Sequence, residues 1–423
     1  MKIRLEKLFS FYYVLMFFFI INSFYIIKPI NSAMFSIVVL FIVLMLGNKK
    51  TRISQQSIKL MSYFYVSLLS VSLLTLLLSF IFKVIDLSYF KNMVSHLIQS
   101  IIIFLFVHLG IRDEDLTDKN FFAKTITFAF VLQAVVSVLA YSFDPVARIV
   151  HLTYTQDTIQ RLYENYDGLR GLALTGSPAW GISIGYALTF LFATKYYLID
   201  NKFKLKHSLV FLLLFAGAFF SGRSAFLGLI ISFFYFSVCG GKNRSKVFSL
   251  IFILFVLPLT AVTIMYWDIV YNLANVSLHY VFEPFLNLYW HGEFKSASTD
   301  RLMHMWQVDI TENEIIYGTG YFEDIYHGGH YREVDPGYLR NVLYGGLFWF
   351  IIICAYQFFP FFFLKKSKSF CFVLVIIMFV LEFKAMTIGF NKYMFTIALM
   401  FVAIEVKRYG ISVEHRNGEV IKN

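Results

Sequence analysis

The feature that most constrains this chain is a succession of long apolar runs, separated by short polar or charged segments. Crossing the hydrocarbon core of a bilayer takes about 20 mostly apolar residues. Of the 423 residues, 58% are hydrophobic and only 15% are charged, which is too little charge for the surface of a soluble protein. We therefore predict an all-α polytopic membrane protein with about twelve transmembrane helices. The predicted spans are residues 9–27, 31–47, 60–82, 92–111, 121–143, 175–198, 207–221, 223–239, 247–267, 337–364, 369–389 and 391–406.

Two of these runs meet at Ser221-Gly222-Arg223-Ser224, and this break decides whether they form one helix or two. A single helix would bury Arg223 near the middle of the bilayer, at a cost of about 2.5–3.5 kcal/mol on insertion scales. We therefore predict a hairpin of two helices that turns at these four residues.

The basic residues predict the orientation of the chain. Lys and Arg are retained on the cytoplasmic side of a membrane, and the densest basic clusters fall on that side when the spans alternate from a cytoplasmic N-terminus. We predict a multi-pass protein of the bacterial inner (cytoplasmic) membrane, with both termini cytoplasmic and residues 407–423 forming a tail. The net charge of +11 then reflects topology, and no nucleic-acid partner is expected.

Two long segments, residues 144–174 and 268–336, are predicted on the outer face. Loops of this length are usually functional or disordered, and these two carry too many aromatic residues for disorder. The chain is thus predicted to be one integral membrane domain, residues 1–423, with a large helical periplasmic loop between spans nine and ten.

The larger outer loop has the pattern of two helices. Residues 269–290 mix apolar and aromatic side chains at helical spacing, which suits an amphipathic helix on the membrane surface. A second helix is predicted over residues 300–313, with Ser298 or Thr299 as its cap, and it ends before Gly318.

Three spans are predicted to begin on the outer face at residues typical of helix starts. Span six begins at Ser177-Pro178 and span ten at Asp335-Pro336, each a capping residue followed by proline, and span eight begins at the SGRS segment. Free backbone N–H groups and the helix dipole both favour an anion at such positions.

An arginine accompanies each of these helix starts, namely Arg170, Arg223 and Arg340. The helix dipole disfavours a cation there, so another group must favour it. Guanidinium groups bind phosphate oxygens in a bidentate manner and stay charged, which suits a diphosphate at the membrane surface. The alternative is that the arginines extend to lipid head groups or pair with nearby acids such as Asp335 and Glu333.

His327 and His330 lie in a glycine-containing segment, with Asp335 close in sequence. A neutral histidine can accept a proton from a hydroxyl group near pH 7, as activation of a sugar acceptor would require. The alternative is that each is a structural loop histidine. Zinc sites need three or four ligands, and no further His or Cys stands at a usual spacing, so we predict no metal.

Lys384 and Glu382 are predicted at the outer end of span eleven. Charged groups are costly in an apolar run and often mark a functional cavity, so both are predicted to face the same cavity as the arginines. The alternative is an intramembrane ion pair without function.

These motifs, in this order, resemble the O-antigen polymerase and ligase superfamily, and most of all the Wzy-type O-antigen polymerases. The matching segments are SGRSAFLGLI at span eight, RLMHMWQ leading into IIYGTGYF, HYREVDPGYLRNVLYGGLFWF at span ten, and EFKAMTIGF before the last span. The resemblance covers most of residues 160–406, and the first 150 residues match only in hydropathy.

The resemblance implies a GT-C-like fold and an inverting, metal-independent glycosyltransferase of lipopolysaccharide biosynthesis that needs no cofactor. Such an enzyme transfers the growing glycan from undecaprenyl diphosphate to a newly delivered repeat unit on the outer face of the membrane. The expected partners are the undecaprenyl-diphosphate-linked oligosaccharide, the lipid membrane and a chain-length regulator protein.

The resemblance also implies roles for particular residues. Arg223 and Arg340 would bind the donor pyrophosphate, and Arg170 is a further candidate. His327 or His330 would activate the acceptor hydroxyl. The remaining predicted site residues are Asp335 in the catalytic group and Ser221, Ser224, Arg332, Tyr338 and Lys384 in supporting positions.

Two other functions stay open. An O-antigen ligase would share the fold and the donor but would pass the glycan to lipid A–core. A multispan transporter or flippase of lipid-linked sugars also has about twelve spans, although its charges usually lie in half-helices at the midplane rather than at the outer rim.

Overall fold

The computed structural model is mostly helical, and five of its helices are long and apolar enough to cross a membrane by length and composition. Four shorter apolar helices lie in the same described part of the chain. The chain therefore has the character of a helical membrane protein, and the prediction of about twelve spans stays a prediction. The structure describes residues 2–46, 53–166, 170–201, 203–240, 283, 287–293, 295–325, 328–364 and 368–420, so the predicted span 247–267 lies outside it.

The described helices follow the apolar runs closely. Those before the larger loop are α1 (Lys2–Asn22), α2 (Ser32–Leu46), α3 (Gln55–Ile81), α4 (Ser88–Leu105), α5 (Phe121–Ser142), α6 (Asp144–His151), α7 (Gln156–Tyr166), α8 (Trp180–Thr194), α9 (Lys206–Ser221) and α10 (Ser224–Cys239). Those after it are α11 (Ala297–Met305), α12 (Glu312–Tyr317), α13 (Gly337–Phe358), α14 (Lys368–Glu382) and α15 (Lys392–Val420). A short antiparallel hairpin of β1 (Tyr25–Ile27) and β2 (Ile30–Asn31) joins α1 to α2.

The described chain divides into two compact units, and the boundary between them falls within α5. Unit 1 comprises residues 1–125 and 302–423, and unit 2 comprises residues 126–301. In unit 1, α4 packs against α3 and α15, while α13 packs against α3 and α12. In unit 2, α8 packs against both α9 and α10.

The predicted hairpin at the SGRS segment is confirmed, because α9 ends at Ser221 and α10 begins at Ser224. Small residues bring the helices of unit 2 into close contact. A Cβ atom on Gly228 would lie 2.3 Å from the Cα atom of Ala187, so the backbones of α8 and α10 touch. Close approach through small residues is how helices associate in a membrane, where there is no hydrophobic drive between them.

Helix α13 is broken at Gly345 and Gly346, where the φ angles are −142° and 74°. The break frees carbonyl groups, and the segment after α12 satisfies two of them. The backbone N–H of Thr319 donates to the carbonyl of Leu343 at 2.7 Å, and that of Gly320 donates to the carbonyl of Tyr344 at 2.8 Å. This pairing fixes the chain between α12 and α13 against α13 itself.

Two predicted helix caps are wrong. Helix α8 begins at Trp180 rather than at Pro178, because Ala179 has a φ of 62° and ends the preceding turn before the helix starts. Helix α13 begins at Gly337 after Pro336 with no side-chain cap, because Pro336 has an extended ψ of 125°.

The outer segments contain helices, but with other boundaries than predicted. The segment 144–174 holds α6 and α7. The predicted helix 300–313 is instead two helices, α11 and α12, and the Ser296 hydroxyl accepts the Thr299 N–H at the start of α11 in place of the predicted caps. Helix α12 ends at Tyr317, as the glycine after it predicts. At the C-terminus, α15 continues as helix to Val420, well past the predicted end of the last span.

Candidate functional site

The Arg340 side chain lies in the first turn of α13 and is 7% exposed. Its Nη2 atom donates to the Phe322 carbonyl at 3.3 Å, and its Cζ atom lies 4.0 Å from the centroid of the Phe322 ring. The Nε atom is buried and has no hydrogen-bond partner. Within the described residues, no carboxylate lies within ion-pair distance of this guanidinium. A buried cation held by a carbonyl and an aromatic face keeps its charge and spare N–H donors for an anion.

The imidazole of His330 lies between Arg340 and Asp335. Its Nε2 atom is 3.4 Å from Nη1 of Arg340 and 3.5 Å from Oδ1 of Asp335. In the neutral tautomer with the proton on Nδ1, Nε2 is an acceptor and faces the guanidinium. Once Nε2 takes up a proton it becomes a donor and faces the carboxylate. The structure therefore brings three predicted site residues together, and Asp335 contacts a histidine instead of capping the helix.

Asp86 joins two segments that are far apart in sequence. It lies in the turn between α3 and α4 and is 3% exposed. Its Oδ2 atom accepts the backbone N–H groups of Phe322 at 2.6 Å and Glu323 at 2.8 Å, and its Oδ1 atom accepts that of Ser88 at 2.9 Å. The Ser88 hydroxyl also donates to Oε2 of Glu323 at 2.8 Å.

The carboxylate of Glu382 is fully buried next to the start of α13. It accepts the side-chain amide of Asn341 at 2.9 Å and the backbone N–H groups of Thr387 and Ile388 at 2.6 and 2.7 Å. The Asn341 oxygen in turn accepts the Tyr89 hydroxyl at 2.9 Å. Glu382 therefore stabilises the bend after α14, and these bonds satisfy it without Arg340.

Arg332 is a predicted supporting residue with a different role. Its guanidinium pairs with the carboxylate of Glu314 and donates to the Asp309 carbonyl at 3.0 Å. The backbone N–H of Thr311 and the Arg332 guanidinium hold the pKa of the Glu314 carboxyl below its usual 4.5. Arg332 therefore fastens the loop after α12 through Glu314 and Asp309.

In unit 2, Arg223 is the residue before α10 and is already paired. Its Nη1 atom lies 3.4 Å from Oε2 of Glu283, and its Nη2 atom donates to the Ser298 hydroxyl at 2.7 Å. The other oxygen of Glu283 accepts the Ala297 N–H at 2.7 Å, at the start of α11. The Arg223 guanidinium thus links the turn before α10 to the start of α11.

The Arg170 guanidinium lies against the same turn. Its Cζ and Nη2 atoms are each 3.2 Å from the position that a Cβ atom would take on Gly222, and the Ser183 hydroxyl oxygen is 3.0 Å from it. Gly222 has a φ of 146°, which side chains rarely allow. The glycine therefore lets two arginines, Arg170 and Arg223, flank one turn.

The predicted site residues are divided between the two compact units. Arg170 and Arg223 belong to unit 2, whereas Arg340, His330 and Asp335 belong to unit 1. The convergence of the three arginines stays a prediction.

The remaining predicted positions have local contacts. The Ser221 hydroxyl donates to the Ala218 carbonyl, and the Tyr338 hydroxyl donates to the Phe379 carbonyl, both at 2.8 Å. Ser224 is buried at the start of α10, and Lys384 lies half-buried in the turn after α14. His327 lies outside the described residues.

Sequence reasoning missed Asp86, Ser88 and Asn341. Asp86 is the only acidic residue in KVIDLSYF, and Asn341 follows Arg340 inside an apolar run. A polar residue near the end of a predicted span is the signal that could have identified Asp86 and Asn341, because burying it requires a partner. Ser88 carries no such signal.

Comparison of the chain with protein-family models, with curated proteins and with solved structures finds no match.

Proposed function

We propose that this chain is an O-antigen polymerase, a glycosyltransferase that joins undecaprenyl-diphosphate-linked oligosaccharide repeat units on the outer face of the bacterial cytoplasmic membrane. The observation that carries the proposal is the state of Arg340. Its guanidinium is buried against the Phe322 carbonyl and ring, and its buried Nε has no partner. A diphosphate is the type of anion that such a guanidinium favours.

The reaction requires one bond to form and one to break. The acceptor hydroxyl attacks the anomeric carbon of the donor glycan, and the bond from that carbon to the diphosphate oxygen breaks. Undecaprenyl diphosphate leaves with both bonding electrons, and the configuration at the anomeric carbon inverts. Arg340 stabilises the charge that develops on the departing diphosphate, and Arg170 and Arg223 are assigned the same task.

His330 accepts the proton of the acceptor hydroxyl in this proposal. Its Nε2 atom lies 3.5 Å from Asp335, which can stabilise the imidazolium that forms. The positive charge of Arg340, 3.4 Å away, disfavours that imidazolium until the diphosphate neutralises the arginine. Deprotonation of the acceptor would therefore follow donor binding. His327 keeps its predicted place as the other candidate base.

The contacts within unit 1 agree with the predicted alternation of spans. The turn holding Asp86 and the segment around Phe322 are both predicted on the outer face, and they are hydrogen-bonded to each other. Lys407 and Asp113 are both predicted on the cytoplasmic face, and they form an ion pair of 3.0 Å. These contacts support the placement of Arg340 and His330 at the outer rim.

The test is the glycan profile of cells that carry single substitutions in the full-length chain. Arg340→Ala is expected to abolish long-chain polysaccharide and leave single-repeat material. Arg332→Ala is the matched control, since this arginine lies in the segment that leads into α13 but is paired with Glu314. The control should keep a ladder of chain lengths. A normal ladder from Arg340→Ala would refute the proposal.

A transporter or flippase of lipid-linked sugars is the second candidate, because α13 is broken at Gly345 and Gly346 within an apolar span. Interrupted helices form the substrate sites of many transporters. The glycan profile separates the candidates. Loss of a flippase would remove single-repeat material as well, and loss of a ligase would leave polymerised glycan that is not attached to lipid A–core.

A further inference from the structure

Arg340 is held by Phe322, and the backbone of Phe322 is in turn held by Asp86. The Nη2 atom of Arg340 donates to the Phe322 carbonyl, and the Phe322 ring lies beneath the guanidinium. The position of Phe322 therefore sets the position of the charge. Phe322 is itself 1% exposed, yet it lies in a segment without regular helix or strand. The segment is hydrogen-bonded to α13 at Thr319 and Gly320, and the backbone N–H groups of Phe322 and Glu323 have an acceptor of their own.

Asp86 supplies that acceptor. Its Oδ2 atom accepts the N–H of Phe322 at 2.6 Å and that of Glu323 at 2.8 Å, while its Oδ1 atom accepts the N–H of Ser88 at the start of α4. The three bonds use both carboxylate oxygens and tie the Phe322 backbone to a long helix. A carboxylate that accepts backbone N–H groups makes stronger bonds than a neutral acceptor.

The Ser88 hydroxyl supports the same arrangement from the other side. It donates to Oε2 of Glu323 and so orients the residue that follows Phe322. Packing adds to it, since a Cβ atom on Gly320 would lie 2.7 Å from the Cβ atom of Phe82 in the turn that precedes Asp86. The segment that carries Phe322 thus rests on the turn between α3 and α4.

We infer that Asp86 is a positioning residue that holds the Arg340 guanidinium in place for the diphosphate by fixing Phe322. The assignment of the ligand rests on the proposed function, whereas the link from Asp86 to Arg340 does not. The resemblance in the first 150 residues is limited to hydropathy. The inference assigns a residue of that region, Asp86, a specific role in the site.

Different substitutions of Asp86 remove different numbers of hydrogen bonds. Alanine removes all three acceptors. Asparagine keeps a single oxygen, which can serve Phe322 and Glu323 only if its amide group then faces the N–H of Ser88, so at least one bond is lost. The displacement of Arg340 should therefore be largest in Asp86→Ala and smaller in Asp86→Asn.

Chemical labelling of arginines measures this displacement without any ligand. The full-length chain in nanodiscs is treated with phenylglyoxal, and the labelling rate of each arginine is determined by mass spectrometry. Arg340 is buried in the wild type, and its labelling should rise about tenfold in Asp86→Ala, the factor that corresponds to loss of one hydrogen bond to a charged group. Asp86→Asn should give a smaller rise.

Two controls separate positioning from general loosening. Arg332 lies in the segment that leads into α13 but is held by Glu314 and the Asp309 carbonyl, so its labelling should stay unchanged in Asp86→Ala. Asp115 is a carboxylate of unit 1 with three hydrogen bonds from Tyr13 and Arg112, and Asp115→Ala should leave the labelling of Arg340 at its wild-type rate. Wild-type labelling of Arg340 in Asp86→Ala would overturn the inference, and so would an equal rise at Arg332.

The same assay tests the ligand separately, with farnesyl diphosphate as the probe. It should slow the labelling of Arg340 in wild type and do so at about tenfold higher concentration in Asp86→Ala. If the probe gives no protection in wild type, the diphosphate assignment of the proposed function fails. The measurements without probe still decide whether Asp86 positions Arg340.

Discussion

Arg223 and Arg340 were both predicted at helix starts next to an anion, but their surroundings differ in charge. The Arg223 guanidinium is paired with the Glu283 carboxylate and the Ser298 hydroxyl. That of Arg340 is held by a carbonyl, an aromatic ring and a histidine nitrogen. An anion at Arg223 must displace or share a carboxylate. No carboxylate among the described residues lies within ion-pair distance of Arg340, and Asp335 approaches it only through His330. The same residue type at similar sequence positions can thus have different capacities for a ligand.

Lysine substitution gives the largest expected difference between the two positions. Lysine keeps the charge and loses the bidentate fork. Arg340→Lys should lower the rate of repeat-unit joining about 100-fold, since losing one or two charge-assisted hydrogen bonds costs about 1.5–3 kcal/mol each. Arg223→Lys should lower it by only about tenfold, because a lysine can still pair with Glu283. The measurement is the initial rate with purified full-length chain in nanodiscs.

Equal losses in the two lysine variants would break the comparison. That result would mean that the ion pair with Glu283 does not lower the contribution of Arg223 to the joining rate.

Substitutions of Glu382 test whether this carboxylate is a counter-ion of Arg340. The carboxylate is buried near the start of α13 but is satisfied by Asn341, Thr387 and Ile388. Glu382→Ala should lower the free energy of unfolding by about 2–3 kcal/mol, because it leaves buried N–H groups without an acceptor. Glu382→Gln keeps one acceptor oxygen and should cost about half as much. Thermal unfolding of the purified chain measures both.

The glutamine variant also bears on the charge of Arg340. If Glu382 neutralised this arginine, Glu382→Gln would tighten the binding of farnesyl diphosphate. We expect the affinity of this variant to match the wild type, and a tighter affinity would show that both arginines have carboxylate partners.

The helices could be predicted from sequence because apolar runs of sufficient length have few other folds open to them. The hairpin at Ser221–Ser224 followed from the cost of burying Arg223. The start of α8 could not be predicted, since it depends on the φ of Ala179, which local sequence preferences do not fix. Helix α13 begins at Gly337, as the predicted span 337–364 has it, and only its predicted cap is wrong.

The candidate site could be predicted only in part, for a similar reason. Charged residues near helix starts identified Arg170, Arg223 and Arg340, but the sequence does not say which partner each one takes. Asp86 is 236 positions before Phe322, and only tertiary packing brings them together. Contacts of this range are outside what spacing and periodicity can indicate.

A substitution of Gly222 tests the surroundings of Arg223 separately from those of Arg340. A methyl group at this residue would lie 3.2 Å from the Arg170 guanidinium, and the φ of 146° would be strained. Gly222→Ala should therefore displace Arg170 and lower the joining rate about tenfold, a change equivalent to about 1.4 kcal/mol within the usual range for such backbone strain. The Arg340 labelling rate is the control and should not change.

The smallest expected effect is the loss of stability when the ion pair between Arg332 and Glu314 is removed. Glu314 has a pKa lowered from 4.5 by the Thr311 N–H and by Arg332 itself. Glu314→Gln keeps the acceptor oxygen for Thr311 and removes the charge, so it should cost less than about 1 kcal/mol at neutral pH, as exposed pairs usually do.

The pH dependence of this variant has a definite sign. Because folding lowers the pKa of Glu314, the contribution of its charge is present above pH 4.5 and is lost as the pH falls through the lower folded value. The difference in unfolding free energy between wild type and Glu314→Gln should therefore shrink on acidification below pH 4.5. Chemical denaturation at neutral and acidic pH measures it. A difference that grows in acid would mean that Arg332 is not held by the Glu314 charge. Arg332 could then no longer serve as the structural arginine with which Arg340 is compared.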